Sequence, residues 1–226
     1  MKKKESLNKE SDSKSRQSGF SSGLTGISGL FFSIGEFLLG LFLLPLVYSS
    51  SVAFLRGIGL IEKSCQNYFW SGVITFLLFY LLIWEPEMIY SYGQRLLELI
   101  FSFFQPFVKV APFLLPIFTI ILFLTYELLS IWIKQVWLIE YFIFLIGFSV
   151  VLHLVFSAKS IGSKKGDFLK ANYIFGFSFV YIINIMLLAL FFSLLFKQFS
   201  FFDFFRHTFS AAGNIFYAVF KQIFLR

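Results

Sequence analysis

Five apolar runs constrain this chain more than any other feature. They cover residues 24–48, 68–84, 111–132, 136–157 and 171–196. As an α-helix, each has about the length needed to cross roughly 30 Å of hydrocarbon. Inside a bilayer every backbone N–H and C=O must find its partner within the protein, which restricts crossings to helices or closed barrels. The runs are continuous rather than alternating, so they read as helices. A soluble globule of this size would need a polar coat, yet 58% of the residues are apolar and 14% are charged, against about a quarter charged in soluble domains. The expected fold is all-α: a polytopic helical membrane bundle of five transmembrane helices, with six as the alternative.

Residues 1–22 are of a different kind. Lys2, Lys3, Lys4, Lys9, Lys14 and Arg16 alternate with Glu5, Glu10, Asp12 and serines. Such a stretch buries too little apolar surface to offset its ordering entropy, so a disordered basic tail is expected. It lacks the apolar core and small-residue cleavage site of a secretory signal. Residues 23–226 are assigned to the transmembrane domain.

In the first run, Ser22, Gly26, Gly29, Ser33, Glu36 and Gly40 recur at steps of four and three, which places them on one helical face. Small residues so spaced let two membrane helices approach closely. Ser22, Gly26, Gly29, Ser33 and Gly40 are therefore expected to form a packing seam, against another membrane subunit or a second copy.

Residues 50–67, with Arg56, Glu62 and Lys63, read as a polar connection. In 88–109 a polar stripe runs through Ser91, Arg95, Glu98, Ser102, Gln105 and Lys109. In 199–224 another runs through Asp203, Arg206, His207, Ser210, Asn214 and Lys221. Both segments read as amphipathic helices lying in the interface, with a full crossing as the alternative for each. Few residues around Lys134 separate 111–132 from 136–157, which predicts a tight hairpin with Trp132 and Trp137 at headgroup level.

Lysine and arginine set the orientation. The tail and the loop holding Lys159, Lys164, Lys165 and Lys170 fall on one side in either topology, and this side is expected to be cytoplasmic. The expected location is a membrane crossed several times, the inner membrane if the cell is bacterial. A net charge of +7 does not point to nucleic acid, because the basic residues sit in the tail and at the ends of runs. The 36 phenylalanines are spread over every segment and read as lipid-facing residues rather than a pigment platform. A single cysteine, Cys65, excludes an intrachain disulfide.

Signatures of hydrolase, zinc-protease and phosphate-loop chemistry do not occur in the chain. Two histidines and one cysteine cannot complete an all-His/Cys zinc site, so no metal or other cofactor is expected. Asp203, His207 and Ser210 are the sole cluster suited to a lipid-modifying enzyme, and the amphipathic stripe already accounts for them. The candidate functional groups are carboxylates at membrane depth, where a charge costs about 2.5–3.5 kcal/mol on insertion scales. Glu36 lies mid-run on the seam. Glu127 and Glu140 lie seven before and six after Lys134, which puts them at one depth of the hairpin. Asn184 is placed to hydrogen-bond another helix. Two functions are consistent with these residues: a non-enzymatic subunit or scaffold of a membrane complex, or a small transporter or ion-conducting subunit using Glu36, Glu127 and Glu140.

Overall fold

The computed structural model describes residues 34–35, 37–82, 87–102, 111, 113–133, 135–163 and 173–224. The tail, the seam residues Ser22, Gly26, Gly29 and Ser33, and Glu36 lie outside the described residues. In chain order the helices are α1 (Phe37–Ile58), α2 (Lys63–Leu82), α3 (Glu87–Ile100), α4 (Ile117–Trp132), α5 (Val136–Ser163), α6 (Tyr173–Leu195) and α7 (Phe201–Phe224). No strand occurs among the described residues. Helices α1, α2, α5 and α6 are long and apolar enough to cross a membrane, while α4 is apolar but shorter, with 16 residues. The chain is a multi-pass helical membrane protein.

One boundary differs from the expectation. The first helix does not end at 48 in a polar connection but continues to Ile58, and α2 already begins at Lys63. Ser50 and Ser51 donate their hydroxyls to the Val47 carbonyl at 3.0 and 2.7 Å. Serines that bond back one turn satisfy themselves inside a helix, so Ser50 and Ser51 continue it instead of breaking it, while the buried Ser49 Oγ has no hydrogen-bond partner among the described residues.

Chain direction follows from paired contacts. Thr119 meets Ser149 and Tyr126 meets Phe142, so α4 and α5 form an antiparallel hairpin about residue 134. Ser64 meets Glu140, Phe76 meets Phe148 and Tyr80 meets Phe156, so α2 and α5 run parallel. Gly40 sits against Phe175, and Phe54 packs on Phe192, so α1 and α6 are also parallel. Helices α2 and α4 are therefore antiparallel, and α3 lies between them in the chain. Helix α7 turns back along α1: Phe204 joins the cluster around Ala53, and Phe216 stacks on Phe42 with ring centroids 4.5 Å apart.

The core holds two aromatic clusters. Phe54, Phe69, Phe192 and Phe199 interlock at the α1–α2–α6 end, largely edge to face. Phe76, Tyr90 and Phe156, with Tyr80 and Phe148 against them, fill the other end. Many phenylalanines are therefore core residues rather than lipid-facing ones. Edge-to-face packing aligns ring quadrupoles and adds about 0.5–1.5 kcal/mol per pair beyond burial.

Candidate functional site

The polar groups of the interior gather around one interruption of the backbone. Proline cannot donate a backbone hydrogen bond, and its ring clashes with the preceding turn. The helical turn before Leu115-Pro116 ends there, and α4 starts afresh at Ile117 with Pro116 as its N-cap. The Ile117 N–H goes to Leu115 rather than back to Phe113. The Phe113 and Leu114 carbonyls therefore take partners from other helices. His153 Nε2 donates to Phe113 at 3.1 Å, and Ser157 Oγ donates to the same oxygen at 3.2 Å. Asn184 Nδ2 from α6 donates to Leu114 at 3.1 Å and to Val180 at 2.8 Å. Neighbouring helices thus re-satisfy a broken one, as hydrocarbon requires.

Helix α3 completes the arrangement. Tyr90, Gly93 and Leu97 are buried against the bundle, while Ser91, Arg95 and Glu98 on another face are exposed. Gly93 lets α3 approach α4, since a Cβ there would meet the Phe118 ring at 2.7 Å. The Tyr90 hydroxyl lies 3.1 Å from Ser157 Oγ, and Ser157 already donates to Phe113, so Tyr90 is the donor. Burial holds the Tyr90 phenol above its usual range and keeps it a neutral donor. Tyr90, Gln94 and His153 line a cavity of about 10 Å³, the size of one water molecule. Gln94 Nε2 is buried there, close to the Tyr90 hydroxyl but without a well-aligned hydrogen bond among the described residues.

This cluster was not visible as a unit in the sequence. His153 reads as a headgroup contact near a helix end, yet it is 4% exposed. The available signals were the i, i+4 spacing of His153 and Ser157, and the apolar face Tyr90–Gly93–Leu97 beside the polar stripe. Asn184 does bridge to another segment of the chain, as its depth suggests.

The hairpin sets Glu127 and Glu140 at one level but on different faces. Glu127 is exposed, whereas Glu140 is half-buried and accepts the hydroxyl of Ser64 from α2. Gly40, the one seam residue within the described part, lies against the backbone of α6: a Cβ there would meet the Phe175 nitrogen at 2.9 Å. Asp203 is held by Arg206 at 2.8 Å, while His207 is half-buried and Ser210 exposed. Among the described residues no three His, Cys, Asp or Glu are grouped to hold a metal ion.

The arrangement can fix a broken helix and dock α3, which is structural chemistry. No family model matches the chain, and no curated protein or solved structure matches it either.

Proposed function

We propose that this protein is a non-enzymatic subunit or scaffold of a larger membrane assembly, with its N-terminal tail, α3 and the 158–170 loop on the cytoplasmic side. The observation that carries this reading is the outward face of α7. Phe204, Thr208 and Ala212 turn α7 onto the bundle beside α1. The opposite face presents Asp203, Ser210, Asn214, Tyr217 and Lys221, all exposed. The stripe lies alongside an apolar helix through much of its length. Unpaired amide and hydroxyl groups facing hydrocarbon are costly, and a neighbouring helix that hydrogen-bonds them removes that cost.

The transport reading draws less support. Glu140 is engaged by Ser64, Glu127 faces away from the bundle, and the interior polar side chains of α4, α5 and α6 bond one helix to another.

The test is purification in mild detergent with the particle mass measured by light scattering. A mass above that of the single chain is expected, falling toward the single chain in Asn214→Leu with Ser210→Leu. A lone chain in both detergent and nanodiscs, unaffected by these substitutions, rejects the reading.

A further inference from the structure

A second polar feature lies at the end of the bundle where α1 stops and α7 begins. A cavity of about 270 Å³ opens there, lined by Arg56, Gly57, Gln198, Ser200, Arg206 and His207 among others. Gly57 makes the approach of the two segments possible, because a Cβ would meet the Phe199 ring at 2.5 Å. Ser200 Oγ accepts the Asp203 N–H at 3.2 Å and starts α7 beside the cavity.

The charges around this cavity do not balance. Asp203 lines it and is paired with Arg206 at 2.8 Å. Arg56, from the other helix, is exposed and has no ion-pair partner among the described residues. Two guanidinium groups from two helices thus face one small space that holds a single carboxylate. Leu55, Leu60 and Phe202 stand exposed nearby at 51%, 61% and 85%. Cationic groups at a helix end, beside exposed apolar side chains, match the boundary between headgroups and acyl chains.

The geometry points to a binding site for the phosphate of an anionic lipid headgroup, held by Arg56 and Arg206, with the acyl chains over Leu55, Leu60 and Phe202. Guanidinium groups bind phosphate through paired N–H donors in a fixed fork, which lysine does not reproduce. The same chemistry would take a free phosphate, so the source of the anion is decided by experiment. The site does not depend on whether the protein belongs to an assembly.

The experiment uses the full chain, delipidated in detergent. Thermal unfolding and native mass spectrometry are followed on adding phosphatidylglycerol, phosphatidylcholine or inorganic phosphate. Phosphatidylglycerol is expected to remain bound and raise the unfolding temperature, with phosphatidylcholine and inorganic phosphate weaker by at least tenfold in concentration. Arg56→Gln changes an exposed, unpaired side chain, so folding is retained while lipid retention falls at least tenfold. Lys221→Gln, at the far end of α7, leaves retention unchanged. Equal protection by inorganic phosphate overturns the lipid assignment. Equal retention of both lipids, or unchanged retention in Arg56→Gln combined with Arg206→Gln, overturns the site.

Discussion

Gly72 of α2 and Gly147 of α5 share one helix crossing, each pressed onto the backbone of the other's helix. A Cβ on Gly72 would strike the Phe144 carbonyl, and one on Gly147 would strike the Phe69 carbonyl. Neither neighbour is a flexible side-chain end, so even one added carbon must separate the helices. Gly72→Ala and Gly147→Ala are each expected to destabilise the bundle by about 1–3 kcal/mol, the usual range for overpacking. Nothing lies within 4 Å of a Cβ at Gly213. Gly213→Ala should therefore be neutral or stabilising by up to about 1 kcal/mol through helix propensity. Unfolding in mixed detergent micelles measures all three; equal effects at the three sites would contradict the crossing.

The proline interruption makes its own demand. Asn184→Leu strips the Leu114 carbonyl of its side-chain donor, and His153→Phe leaves Phe113 with Ser157. Each should cost about 0.6–1.7 kcal/mol, from the mean to the maximum measured for hydrogen bonds between membrane helices. Tyr90→Phe and Ser157→Ala should be less than additive, because they remove the two ends of one bond. Hydrogen exchange should rise in α3 in both variants, and α3 protection identical to the parent would show that this bond does not dock it.

Helix α7 is expected to stay beside α1 in the membrane. Phe42→Cys with Phe216→Cys places two thiols where the rings now stack at 4.5 Å. Mild oxidation of isolated membranes should give an intrachain disulfide, visible as a faster-migrating band. Pairing Phe42→Cys with Asn214→Cys, on the outward face, should give little. A cross-link with Asn214 but not Phe216 would mean that α7 is rotated.

Carboxylate substitutions separate packing from transport. Glu140→Gln keeps an acceptor for Ser64 and should leave stability close to the parent, whereas Ser64→Ala should lower it. Glu36→Gln is expected to leave insertion and assembly normal. Proton or cation flux that is present in liposomes of the parent protein and lost in Glu36→Gln, with assembly intact, would reverse the preference between the two functions.

Some of this was legible from residues. Lys134 stands midway between two apolar runs, and the hairpin of α4 and α5 follows from that symmetry. The stripe Ser91–Arg95–Glu98 does lie on an exposed face of α3. The α2–α5 crossing was not legible, because Gly72 is the one glycine of α2, Gly147 is fifteen residues from Gly162 in α5, and neither recurs at helical spacing. A small residue signals close approach when it recurs; a pair far apart in sequence is recognisable once the two helices are known to be neighbours. The polar cluster was hidden for a related reason. His153 and Ser157 read as a helix end, while the carbonyls that hold them belong to the backbone at Pro116, which no side-chain pattern announces.

Parallel neighbours cannot be joined by a short turn, and this has a consequence for biosynthesis. Ser64 and Glu140 meet across 76 residues of chain. At the usual 5–20 residues per second, α2 leaves the ribosome roughly 4–15 s before the helix it packs against. During that interval its two close-approach surfaces, Gly72 and the Phe69 carbonyl, face lipid or the insertion machinery. A nascent chain halted before α5 should accordingly hold α2 loosely, recoverable by alkaline extraction, and become fixed as α5 emerges.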